Sequence, residues 1–369
     1  MRRRTAAVAV LALTATAAIA LSWTTPVRPI AWTPDPSDPA FQGRRTGLTI
    51  VRTLDLGPGA GPEDCAALAD GRLACGLADG RIVVVEADLS GVAGVMANTG
   101  GRPLGITVRG HDVLVADARK GLLRITPDGA VAVLRAAWPE GDLRFADELA
   151  TTPDGGIWLT DASSRWGQDA VAQEFTERRP TGRLLRLGPD GRGGAVMEGL
   201  GFANGVAAGA DHVLVAETSR WRILRRWTAG PQAGQSEVFA TGLPGSPDNL
   251  TLDSHGRLWV ALVGPRGEED ERLAGRPLQR AIRFRLQRLA GPKPQGLRPS
   301  AVMVFGRDGR LLGLFDVPHP ELGGVTTVVP TDLGLVLGTN RGRKLALAAW
   351  PALPPAEAPV GPPTRLSAP

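Results

Sequence analysis

Short apolar runs, each introduced by a turn of Gly, Asp or Asn, recur along this chain between polar breaks. Six share one shape: Gly71-Arg-Leu-Ala-Cys-Gly76, His111-Asp-Val-Leu-Val-Ala116, Gly155-Gly-Ile-Trp-Leu-Thr160, Asp211-His-Val-Leu-Val-Ala216, Gly256-Arg-Leu-Trp-Val-Ala261 and Leu333-Gly-Leu-Val-Leu-Gly338. A second β-rich run follows each, at 80–86, 120–126, 182–187, 221–227, 300–305 and 344–350. Aliphatic and β-branched runs of this length, bounded by turn residues, fit strands and are too short for helices. The six units start 40, 44, 56, 45 and 77 residues apart, against the ~40–50 residues of a four-stranded propeller blade, so the longer intervals hold insertions. Asp-Gly pairs at 79–80, 128–129, 154–155, 190–191 and 308–309 supply the positive φ of tight hairpins. The pattern predicts an all-β fold over residues 46–350, a six-bladed β-propeller with four-stranded blades. Radial repetition leaves few exposed strand edges.

The ends of the chain are patterned differently. Met1-Arg-Arg-Arg4 precedes an uncharged apolar run from Thr5 to Trp23, close to the ~20 residues of a spanning helix. Residues 1–23 therefore read as a signal anchor or a signal peptide. Ala18-Ile19-Ala20 offers a cleavage pattern; the continuation to Trp23 and the three arginines favour an uncleaved anchor with its N-terminus in the cytoplasm. The propeller is then membrane-anchored outside the cytoplasm, or secreted or periplasmic if the segment is removed. Five prolines make 24–45 an extended stalk, and the Pro-rich stretch 351–369 reads as a disordered tail.

Charge sharpens one segment and excludes one partner. Of the formal net charge of +5, Arg2 to Arg4 supply +3 and the insertion 264–300 another +5, leaving a slightly acidic body that offers no surface for nucleic acid. Within that insertion, 277–290 forms a helix with Leu278, Ile282, Leu286 and Leu289 on one face and Arg280, Arg283 and Arg288 around it. Two readings stand: a helix capping the propeller face, or a helix that meets anionic lipid. Cys65 and Cys75 flank the Asp70-Gly71 turn; they form either a cross-strand disulfide or two small core residues.

Candidate chemistry sits where inner strands begin, at one mouth of the channel. Counting back seven or eight positions from each unit gives Glu63, Leu104, Asp147, Asn204, Asp248 and Thr326. Four of these carry carboxylate or amide oxygens in otherwise apolar strands. Converging carboxylates repel unless a cation lies among them, and an all-oxygen set without His or Cys points to a hard divalent ion, above all Ca²⁺. An ion with an open position polarises an ester or lactone carbonyl, with Asp147 or Glu148 as general base. The alternative is a binding or scaffold propeller whose calcium is structural. His111, His212 and His255 fall in outer turns, and no Gly-x-Ser-x-Gly motif occurs, so a serine or histidine nucleophile is not expected.

At these residues the chain resembles the strictosidine-synthase-like branch of the senescence-marker-protein-30, gluconolactonase and paraoxonase superfamily, over roughly 45–348. The resemblance is carried by Gly61-Pro62-Glu63, 116–123, 160–165, 180–185, 215–220 and, above all, 236–262 with Ser246-Pro247-Asp248-Asn249. It implies a six-bladed propeller with calcium held at the mouth by Glu63, Asn204 and Asp248. It also implies lactonase or arylesterase activity on small lactones or esters; on the reading of the mouth given above, Asp147 and Glu148 are then the catalytic residues, and Phe145, Phe202, Asn249 and Thr326 are expected to line the pocket. Asp147 and Glu148 replace a family Asn and Asp, which adds acid. The glutamate that strictosidine synthases use in their last blade falls near Thr326, so alkaloid condensation is not expected. Membrane-anchored relatives share the proposed N-terminal topology; on the lipid reading of 277–290, partnership with the membrane extends to that helix.

Overall fold

The computed structural model describes residues 27–43, 45–291, 299–319 and 321–354, together with Thr14 and Thr16. The apolar segment expected over 1–23 and most of the 351–369 tail lie outside the described residues. Among those described, no helix is long and apolar enough to cross a membrane.

Six antiparallel sheets are arranged radially. Their inner strands are Cys65–Ala67, Pro103–Arg109, Ala146–Thr151, Ala203–Ala208, Gly245–Leu252 and Val325–Thr331, and each touches the next, the sixth returning to the first. Blades one to five run outward in sequence order; in blade six the outermost strand is Ile50–Asp55, paired antiparallel with Lys344–Ala348. One end of the chain thus closes the ring with the other. Thr46–Gly47 adds a short parallel strand to the outer edge of blade five.

Apolar runs alternate at period two, and here both faces of each blade are buried. In blade one, Leu73 and Cys75 pack toward Val336 and Leu345 of blade six, while Ala74 and Ile82 pack toward Val113 and Val115 of blade two. Leu114 and Ala116 face Leu149 and Leu159 of blade three; Trp158 and Leu184 face Val213 and Val215 of blade four. The core is therefore six seams between neighbouring blades.

One expectation is corrected. Residues 27–43 are not a free stalk: Val27, Trp32 and Phe41 are buried, Trp32 lies 5.3 Å from Trp221 and Phe41 stands edge-on to Phe305. Apolar residues spaced among the prolines strap this segment into the seam between blades four and five. The helix Pro277–Leu289 packs against the helix Val171–Glu177; it buries Arg280, Ala281, Phe284 and Arg285 and leaves Leu278, Leu286 and Leu289 in solvent. Phe284 is the large apolar residue that this helix buries, and Arg280 donates to the Ile30 carbonyl of the strap. Cys65 and Cys75 lie directly opposite each other and form a disulfide.

Candidate functional site

The mouth is built by one backbone device used repeatedly. In blades two to six the inner strand carries an extra residue where it enters the sheet: Pro103 pairs with Asp117 and Ile106 with Val115, and equivalent shifts follow Ala146, Ala203, Pro247 and Val325. Such a bulge re-aims side chains that would otherwise alternate between faces. Both members of each doublet, Asp147-Glu148 and Asp248-Asn249 among them, are consequently buried at the channel end. Blades two and four place glycine second. A Cβ on Gly205 would lie 2.4 Å from the Asp248 carbonyl oxygen, and one on Gly105 would meet Glu148, so neighbouring blades approach closely here.

Carboxylates at the ends of second strands fix the loops that enter this mouth. Asp117 accepts from Arg102 N at 3.0 Å, Asp161 from Phe145 N at 2.9 Å and Glu217 from Gly201 N at 2.7 Å. Arg183 and Arg222 neutralise the latter two. Each of these acids directly follows a repeat run, the signal by which the sequence marks them. In blade one, the Cys65–Cys75 disulfide begins one residue after the Glu63-Asp64 doublet and ties that short inner strand to its neighbour.

Every side chain named from the sequence is buried at the mouth, but not all are equivalent. Asn249 Nδ2 donates to Glu63 Oε2 at 3.4 Å, and the Asn204 amide faces the Asp248 carboxylate. Thr326 is tied up in closing the ring, donating to the Glu63 carbonyl at 2.7 Å. Glu148 Oε1 accepts from Leu149 N. Asp64, not singled out before, accepts from Ile106 N at 2.9 Å and Thr327 Oγ1 at 2.7 Å, joining blades one, two and six. Its position beside Glu63, matching that of Glu148 beside Asp147, was the available signal.

The electrostatics are those of an acid excess. Burial, then Asp248 and Asp64, push Glu63 well above the usual carboxylate range. Burial and Glu63 do the same to Asp147, burial and Asp64 to Glu148, and burial and Asp147 to Asp248. Burial lifts Asp64 to about 6. Arg102, buried and anchored on the Gly61 carbonyl at 3.0 Å, opposes Glu63 and Asp147; it lies two residues before Leu104, where the sequence count found no polar group.

These residues fit a hard cation. Asn204 Oδ1, Asp248 Oδ1 and Asn249 Oδ1 are buried and accept no hydrogen bond, a costly condition for oxygens in a low-dielectric interior. Among the described residues no three Asp, Glu, His or Cys side chains converge tightly enough to hold an ion alone. Asn249 meets Glu63 and Asn204 meets Asp248, so the mouth pairs carboxylates with amides, the ligand chemistry of calcium.

An apolar wall flanks this set. Phe145 and Phe202 meet edge to face at 5.3 Å, and Phe175, from the helix Val171–Glu177 inserted in blade three, lies 4.8 Å from Phe202. Phe202 has φ 57°, the left-handed region that bulky residues adopt only under constraint. Blades one and six have Gly61 and Gly324 at the matching place, also with positive φ. An aromatic ring is thus held where glycine would be unstrained.

The strictosidine synthase family profile matches residues 147–231, and the strictosidine synthase-like N-terminal profile matches 46–85. Protein STRICTOSIDINE SYNTHASE-LIKE 13 of Arabidopsis thaliana is 35% identical over 226 residues, covering 58% of this chain and 56% of that protein. Protein STRICTOSIDINE SYNTHASE-LIKE 10 of the same plant is 33% identical over 254 residues, covering 62% and 68%. Adipocyte plasma membrane-associated protein of Salmo salar is 36% identical over 226 residues, covering 56% and 54%. The matches span 56% to 60% of the length of the first three Arabidopsis relatives. A solved gluconolactonase from Xanthomonas campestris shares the fold, with a TM-score of 0.58 at 19% identity over 86% of this chain and 98% of that one.

Proposed function

The chain belongs to the strictosidine synthase-like family of six-bladed propellers, and from that premise we propose that it is a calcium-dependent hydrolase of lactones or aryl esters, working at the channel mouth. The observation that carries this reading is the buried acid excess around three oxygens without hydrogen-bond partners. Glu63, Asn204 and Asp248 would hold the ion. Bound there, it would supply a Lewis acid for the scissile carbonyl.

The remaining work belongs to the chain. Asp147 takes no side-chain hydrogen bond from the described residues, whereas Glu148 is engaged by Leu149 N. Asp147 is therefore the residue to accept the proton of an attacking water, and burial and Glu63, which raise its pKa, make it the stronger base. Arg102 limits how far that pKa rises. Phe145, Phe202 and Phe175 exclude bulk water and match the apolar part of an aryl ester or lactone. Thr326 offers no carboxylate for alkaloid condensation.

The second reading, a structural calcium, is favoured by the enclosure of the mouth, since every doublet side chain is buried. Turnover separates the two. Purified protein tested on a panel of lactones and aryl esters should show activity that a chelator removes and Ca²⁺ restores; absence of turnover with the ion bound would support the structural role. Membrane association is supported by the relative named for the adipocyte plasma membrane and by the apolar run 5–23.

A further inference from the structure

The helix Pro277–Leu289 is inverted relative to ordinary amphipathic packing. A surface helix turns its leucines to the core and its arginines to water. Here Arg280 and Arg285 are buried, while Leu278, Leu286 and Leu289 are 68%, 55% and 72% exposed. Ile282, Leu286 and Ala290 continue this apolar face as a shallow groove edged by Gln279, Arg283 and Gln287. From Arg272 to Ser300 the sequence contains no acidic residue and eight basic ones.

The position of the helix indicates what covers that face. The strap enters the described structure at Val27 and runs between two helices: Arg28 N donates to Glu177 Oε1 at 2.5 Å, Ile30 N to the Glu177 carbonyl at 3.1 Å and Trp32 N to the Ala274 carbonyl at 3.2 Å. Arg280 reaches the Ile30 carbonyl from the other side. In the sequence, the apolar run ends at Trp23, four residues before Val27. The described strap thus begins beside this helix, which follows the end of the strand Leu258–Pro265 that pairs with the start of its inner strand and so lies on the face that carries the channel mouth.

We propose that the exposed leucine face of Pro277–Leu289 docks on an anionic lipid surface, its leucines in the interface and Arg276 and Arg288 at the headgroups, so that the channel mouth faces the membrane. Apolar burial combined with arginine attraction to anionic headgroups is the chemistry of interfacial helices. Substrates dissolved in the bilayer would then enter the mouth from the lipid side.

The test uses the full-length chain with a single environment-sensitive fluorophore on Leu286→Cys, the native cysteines being disulfide-bonded, and the same label on Val133→Cys, which is exposed on the outer strand of blade two. With vesicles of phosphatidylcholine and phosphatidylserine, the label at 286 should shift to the blue and escape a water-soluble quencher, while that at 133 stays in water. Pure phosphatidylcholine should give a smaller shift. Equal behaviour of the two labels on anionic vesicles would overturn the proposal. Shielding of 286 already complete without lipid would overturn it in favour of the chain's own N-terminal segment, and shielding that grows with protein concentration in favour of a second copy. None of these readouts depends on hydrolysis.

Discussion

Asp147 and Glu148 are neighbours in sequence with different surroundings, and the difference predicts different mutants. Asp147→Asn keeps the shape of the mouth and removes a proton acceptor, so turnover should fall by roughly 10²–10⁴-fold with the bound ion retained. Glu148→Gln keeps an oxygen for Leu149 N and should cost less. Steady-state kinetics beside metal analysis separates the two. A third acid gives a pH signature away from the ion. Glu174, in the helix Val171–Glu177, is buried, accepts from Ser163 Oγ at 2.7 Å and is pushed by burial from 4.5 to about 7. The folded chain therefore holds this proton over a range where the unfolded chain has lost it, and the stability Glu174 lends below pH 4.5 declines as pH rises toward 7. Relative to Glu174→Gln, which does not titrate, the wild type should lose up to about 3 kcal/mol across that window. Denaturant titrations of both proteins at pH 4.5 and 8 measure it.

At the scale of elements, strands were legible and their irregularities were not. Six runs with period-two alternation located the second strands, and counting back from them reached Glu63, Asp147, Asn204 and Asp248 because blade geometry fixes that distance. The count could not show the bulge that turns two successive residues into the channel, so Asp64 and Arg102 went unassigned. Nor could it show which face of Pro277–Leu289 is buried, since periodicity identifies an apolar face without saying what covers it. The bulge makes its own prediction. In Gly205→Ala the new Cβ meets backbone of blade five, and the displacement of Asp248 should lower stability by about 1–3 kcal/mol and weaken the mouth's hold on its ion. Calorimetric melting with and without Ca²⁺ would show both effects. Replacing Cys65 and Cys75 by serine frees a loop of about ten residues and should cost roughly 2–3 kcal/mol, read as a lowered denaturation midpoint.

At the scale of the molecule, the propeller is a ring whose stability depends on closure. Ile50–Asp55 completes blade six, Thr326 holds blade one by the Glu63 carbonyl, and Asp64 draws on blades two and six. The residues proposed to hold the ion come from blades one, four and five, so the ion would cross-link parts of the ring distant in sequence. An ordinary polar surface and a slightly acidic body would need none of this; three buried oxygens without partners, set among raised carboxylates, do. Elemental analysis of the purified full-length protein, repeated on Asp248→Ala with circular dichroism as the check on folding, tests that claim most directly. The prediction is about one calcium per wild-type chain and its loss from a folded variant. Wild-type protein without a bound divalent ion, or a variant that keeps it, would contradict the assignment of the mouth as a cation site.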